Sequence, residues 1–311
     1  MSFKHSIKIG WYKKARRDNY ARFYTGKEQT DLFLNAVKTN IPTVKLLVEE
    51  GYIIPSGALI HAIARKPCLD KTIMLEYLVD TLGVDVNQNV LFYAKNIEDI
   101  NFLVKRGVYI NHQDIKGETF LMKCLKNCNY RLVYHLIKLG ANANIKDNIG
   151  NIALHYAFKH CSRNNKIIFN NFAVIENNFA VIKNIIDITT DPNTPNNNGE
   201  IPFTMLIHGD SLHFNFINIL NISVEKGLNI HSTTRFKKNI LYTIIILTRY
   251  QHSYGNNKSY DILNRALELG VDPYITDTFG KRMIDYCENN EIQRYIESHY
   301  CVFQIKEPDI E

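Results

Sequence analysis

The stretch Gly107-Val-Tyr-Ile-Asn111-His-Gln-Asp114-Ile-Lys-Gly117 recurs 33 residues later as Gly140-Ala-Asn-Ala-Asn144-Ile-Lys-Asp147-Asn-Ile-Gly150. Gly, Asn, Asp and Gly keep their offsets. A third copy, from Gly270 through Asp277 to Gly280, keeps Gly, Asp and Gly, and residues 189–199 form a weaker one through Asp191, Asn193 and Asn196. Self-similarity at a fixed spacing of this size marks stacked supersecondary units. The first Gly of each copy follows an apolar run, such as Val44–Val48 or Ile100–Val104. A residue there must take the left-handed conformation that ends a helix, which glycine does without a Cβ clash. The second Gly serves a tight turn.

Working outward, each turn leads into a short apolar segment with a small residue at one recurrent place: Ala36, Ala62, Ala94, Cys124 and Ala157. Adjacent units must approach closely there, since interiors are packed to crystal-like density. Leu206 and Ile244 are larger at that place, so looser packing is expected in the C-terminal half. The spacing is uneven. Only 24 residues separate Gly83 from Gly107, so the helix near Val90–Lys95 must be clipped. Insertions fall at 161–176, beside a near-duplication of Asn170–Ile175 in Asn177–Ile182, and at 248–260.

Together these features resemble the ankyrin repeat. Thr119–Cys124 and Ile152–Ala157 stand where the family has its Thr-Pro-Leu-His-x-Ala helix start, and weaker versions bring the count to about eight copies. The resemblance implies an all-α solenoid of stacked antiparallel helix pairs with hairpin fingers. It covers residues 28–299, with a basic aromatic arm or capping helix at 1–27 and a tail at 300–311. It also implies a scaffold that binds a protein partner through a concave face. The positions just before the small slot then point to the partner: His61, Tyr93, Lys123, Tyr156, Met205 and Tyr286, joined by the finger-tip residues Ile115, Lys116, Asn148 and Ile149. In the family, finger asparagines with Leu eight residues before them are hydroxylation targets, which singles out Asn111 and Asn144. The same residues have a plain structural reading, as bonds within their own turns.

The chemistry of the remaining residues is sparse. Cys124 and Cys128 have helical spacing, but Cys124 fills the small slot and Cys128 replaces the turn Gly, so neither reads as a metal ligand. His155 has the family's structural histidine position. No phosphate loop, dinucleotide turn or zinc-protease motif occurs, and no cofactor, metal or catalytic residue is assigned. The six cysteines lack a disulfide framework, which fits a reducing cytoplasm. No apolar run approaches a membrane span.

The net charge of +6 is concentrated at the N-terminus. Residues 1–27 hold Lys4, Lys8, Lys13, Lys14, Arg16, Arg17, Arg22 and Lys27 against Asp18 alone, so the array itself is near neutral. Lys13–Arg17 matches a short nuclear-import pattern. Nucleic-acid binding by this arm is an alternative function, and an enzyme site in the 161–176 insertion is another. Abundant Asn and Ile, with a divergent repeat, suggest a pathogen's effector acting in virulence. It would be monomeric before it meets its partner and would work in the host cytosol or nucleus.

Overall fold

The computed structural model describes residues 26–66, 69–86, 88–161, 172–207, 216–251 and 258–304. The arm up to residue 25, including Lys13–Arg17, most of the 161–176 insertion and the tail beyond 304 lie outside the described residues. The chain divides into two compact units, Met1–Tyr109 and Ile110–Glu311.

In the first unit, α1 (Gly26–Thr39) pairs with α2 (Ile41–Glu49), and α3 (Ala58–Ile63) with α4 (Leu69–Glu76), which runs on into a π-helical turn at Tyr77–Thr81. Helix α1 begins inside the segment assigned from sequence to the arm. The clipped third copy is as expected, a 3-10 stretch at Gln88–Tyr93 followed by α5 (Ile97–Lys105). Asn40 and Asn96 start α2 and α5 by accepting the backbone N–H groups of Thr43 and Asp99. One contact here is charged and buried. Lys71 Nζ lies 2.5 Å from Asp99 Oδ1, both side chains 4% exposed. Asp99 Oδ2 also accepts the Lys95 N–H at 2.9 Å.

The second unit has two rows of helices. The row of first helices is α6 (Phe120–Lys126), α8 (Ala153–Cys161), α10 (Thr204–Ile207) and α12 (Ile240–Gln251), closed by a 3-10 turn at Ile284–Tyr286. The row of second helices is α7 (Tyr130–Lys138), α9 (Phe172–Ile188), α11 (Phe216–Glu225), α13 (Lys258–Glu268) and α14 (Asn290–Gln304). Each helix meets its neighbours in its own row, so the apolar faces form a continuous core, including Leu121, Val133, Leu154, Phe158, Ile182, Phe203, Leu220, Ile244, Leu263 and Ile284. Cys124 is 3% exposed in the small slot, and burial pushes its thiol pKa up to about 12. Leu206 and Ile244 are accommodated in the core, 6% and 0% exposed. Residues 172–175 of the first copy of the near-duplication and the whole of the second lie in the single helix α9.

Several helix ends follow one pattern. At Gly140, φ is 84°, the Gly140 N–H reaches Ile137 O, and the Ala141 N–H reaches Leu136 O. That is the left-handed stop expected from sequence. Cys128 adopts the same conformation at φ 54° without being glycine. Among the described residues no strand occurs, and the hairpins contribute only isolated bridges, Gln113–Thr119 and Thr276–Arg282.

Candidate functional site: fingers and groove of the second unit

Five fingers share one loop. They are Asp114–Glu118, Asp147–Asn151, Asn196–Glu200, Thr234–Lys238 and Asp277–Lys281. In each, the first side chain accepts two backbone N–H groups, two and four residues on. Asp147 Oδ1, for example, accepts from Ile149 at 2.9 Å and Asn151 at 2.8 Å. Asp114, Asn196, Thr234 and Asp277 do the same. A backbone pair closes each loop, as in Asp147 N–H to Asn151 O and Gly150 N–H to Asp147 O. A short polar acceptor followed by a residue that tolerates positive φ suffices to build this turn. The fourth finger does so with Thr234 and Lys237, the latter at φ 57°. Sequence reading did not find this finger, because neither the Asp nor the Gly is present.

The tips are tied in series. The Asn148 N–H donates to Lys116 O at 3.0 Å, the Asn197 N–H to Ile149 O at 2.9 Å, and the Thr278 N–H to Phe236 O at 3.1 Å. Among the described residues, no corresponding bond joins Asn198 to Arg235. A second series runs through the asparagines. Asn111 Oδ1 accepts the Asn142 N–H, Asn144 Oδ1 the Thr190 N–H, and Asn193 Oδ1 the Asn229 N–H, at 2.7–2.8 Å. Asn144 Nδ2 also donates to Ile188 O at 3.3 Å. Asn111 and Asn144 therefore bond the next repeat, beyond their own turns. A hydroxylase acting on either would first have to open the finger.

Beside the fingers lies a groove of ≈ 580 Å³ whose lining includes Glu118, Lys126, Ile149, Tyr156, Lys159 and Arg235. Its floor is a buried polar chain. The Tyr156 hydroxyl is 2.7 Å from Asp147 Oδ2 and 3.1 Å from Glu118 Oε1, and Lys126 Nζ donates to Glu118 Oε1 at 2.9 Å. The hydroxyl has one proton and gives it to the nearer Asp147. Lys126 compensates Glu118, which is 8% exposed. Burial, then the bond to Asp147, raises the Tyr156 pKa well above its ordinary value, so it stays a neutral donor. Tyr286 repeats the arrangement nine residues after its finger Asp277, at 2.5 Å, and that bond pushes the phenol up to about 12.

His155 keeps its structural place. It is 2% exposed, its Nδ1 accepts the Ile152 N–H at 3.2 Å, and its Nε2 lies 3.1 Å from Glu200 O. The first bond requires an unprotonated Nδ1, which fixes Nε2–H as the donor to Glu200. Desolvation lowers the His155 pKa accordingly.

The positions assigned from sequence to the partner divide. Ile115 is 95% exposed and Ile149 56%, and Lys116 and Asn148 are also exposed. Tyr93, in the first unit, is 46% exposed, while His61 there is half-buried with Nδ1 2.9 Å from Gly57 O. Lys123 and Tyr286 are half-buried. Tyr156 and Met205 correct the expectation of exposure, at 7% and 6%. For Tyr156 the Asp147 carboxylate holds the side chain back against its own finger. The sequence reading also missed Glu118, Lys126 and Lys159. The signal available was their placement around Tyr156: Lys126 and Lys159 each lie two residues past a small slot, and Glu118 follows the finger Gly.

Among the described residues, no helix is long and apolar enough to cross a membrane. No curated protein matches the sequence significantly. Residues 90–169 match the family model for ankyrin repeats (three copies). A crystal structure of an ankyrin repeat domain from Acinetobacter baumannii AYE is similar at 19% identity and a TM-score of 0.51, covering 70% of this chain and 99% of its own. Another ankyrin repeat protein of known structure aligns at 19% identity and a TM-score of 0.49, covering 69% and 98%. The match places ankyrin repeats, a protein–protein interaction scaffold, at residues 90–169, and the likeness to the Acinetobacter domain shows the fold.

Proposed function

We propose that the chain is a non-catalytic scaffold that holds a segment of another protein in the groove of the second unit. The observation that carries this reading is the groove itself. It combines exposed apolar Ile149 and the cations Lys126, Lys159 and Arg235 with a floor already fixed by the Tyr156–Asp147–Glu118 chain. A pre-ordered polar floor with an apolar rim lowers the ordering cost of binding. The partner belongs to a host cell, where the protein acts as an effector in the cytosol or nucleus. The Asn- and Ile-rich composition and the divergence of the repeat support this.

The test is affinity capture from eukaryotic cytosol with the native chain and with an Ile149→Asp, Lys159→Glu double variant. Both positions are exposed, so the variant keeps its unfolding temperature while its main partner is lost. A folded variant that captures the same partner at the same yield refutes the groove reading. A partner recovered equally from bacterial lysate refutes the host assignment.

A further inference from the structure

We infer a second docking surface on this unit: fingers four and five form a basic, aromatic platform for an acidic protein segment carrying apolar side chains. The inference rests on the reading of the chain as a protein scaffold and names one partner chemistry. Fingers one to three carry Asp114, Glu118, Asp147 and Glu200 against Lys116 alone. Fingers four and five carry Arg235, Lys237, Lys238 and Lys281 against Asp277 alone, with Arg282 just beyond. The sign of the strip changes where the tip bonds are interrupted.

The two tips are joined. The Phe236 carbonyl accepts the N–H of Thr278, the residue before Phe279, and Phe236 and Phe279 are 39% and 80% exposed. Arg235 lies over Phe236 at 4.7 Å. Lys238 Nζ is 3.7 Å from the Tyr242 ring centre and 4.9 Å from that of Tyr286, and Lys281 Nζ is 4.1 Å from Tyr286. Tyr242 and Tyr286 meet edge to face at 4.9 Å. Cations held against rings are ordered before a partner arrives.

The acidic groups nearby are already engaged. Asp277 accepts the Tyr286 hydroxyl, and Asp285 is paired with Arg282 at 2.6 Å. Arg235, Lys237, Lys238 and Lys281 have no carboxylate within ion-pair distance among the described residues. Exposed phenylalanines between such cations match a chain that alternates carboxylates with apolar side chains. A nucleic acid fits less well. Its phosphates continue past the platform, and along this strip they would meet the carboxylates of fingers one to three.

The experiment uses the full chain and a short fluorescent peptide of Glu, Leu and Phe. Probes for comparison are the same peptide with Lys for Glu and an oligothymidylate of equal length. The acidic peptide is expected to bind in a salt-sensitive way, and the Lys peptide is not. A Phe279→Ala, Lys281→Glu variant, altered only at exposed positions, is expected to bind about tenfold more weakly. The Ile149→Asp, Lys159→Glu groove variant is expected to bind the peptide unchanged. No saturable binding of the acidic peptide overturns the inference, as does equal affinity in the platform variant or tighter binding of oligothymidylate. The two surfaces meet at Arg235, but the two variants share no residue, so failure here leaves the groove reading to its own test.

Discussion

Fingers one and two and fingers three to five fold into the same loop with different reasons for their residues. A Cβ on Gly117 would lie 2.5 Å from Asn148 Oδ1 and 2.7 Å from Asn148 N. On Gly150 it would lie 2.6 Å from Asn197 Oδ1 and 2.8 Å from Asn197 N. At Gly199 and Gly280 nothing stands within 4 Å, and at the equivalent place in the fourth finger Lys237 carries a whole side chain. The same positive φ is thus demanded twice by the turn and by a neighbouring backbone, and elsewhere by the turn alone. A conserved-looking glycine inside one chain therefore has two separable causes.

The sharpest way to break this distinction is Gly117→Ala or Gly150→Ala. Left-handed strain plus backbone overlap should lower unfolding free energy by about 3 kcal/mol in urea titration. A cost no larger than that of Gly199→Ala would show that the neighbouring finger yields. Next comes Tyr156→Phe, which removes the donor to buried Asp147 and should cost about 2 kcal/mol by the same measurement. An unchanged midpoint would mean that the floor of the groove is held by packing alone. Gly199→Ala, with strain but no overlap, should cost about 1 kcal/mol. Lys237→Gly should stabilise by about 1 kcal/mol, because it removes that strain from the fourth finger. A destabilised Lys237→Gly protein would assign the lysine side chain a contact of its own.

The smallest effect separates the repeats by pH. His155 and Asp285 are equivalent positions, each accepting the N–H three residues before it. Both have pKa values below their ordinary ones, His155 chiefly through desolvation and Asp285 chiefly through Arg282. The His155 contribution is present above the ordinary histidine value and is lost as pH falls below it, since the unfolded chain takes the proton more readily. The Asp285 contribution persists there. It is lost only as pH falls from the ordinary carboxylate range through the lower folded value. Unfolding curves from neutral to mildly acidic pH should therefore flatten in a His155→Gln variant and keep their slope in Asp285→Asn.

What was legible in the sequence follows the same division. The Gly–Asn–Asp–Gly spacing is legible because one backbone loop forces each residue. Cys128 was readable as a turn residue in place of glycine because its neighbours kept their places. The fourth finger escaped because Thr234 performs the bonding of Asp with a hydroxyl, and Lys237 takes positive φ without glycine. Tyr156 and Met205 were misjudged because the repeat fixes where a Cβ starts and leaves open whether the side chain turns outward or onto its finger. Lys71 and Asp99 gave no signal either, since a charge on a helix is ordinarily solvated and only the tertiary fold buries this pair.

The strip of tip bonds also has a mechanical side. A tug on the first finger passes through Lys116–Asn148 and Ile149–Asn197 as a chain of short links, and one on the fifth passes through Thr278–Phe236. Between Asn198 and Arg235 no such tip link carries the load, so it falls to the Asn193–Asn229 bond at the finger base and to the helices behind. Strain imposed on either group of tips therefore reaches the other through the finger bases and the packed helices, and not from tip to tip.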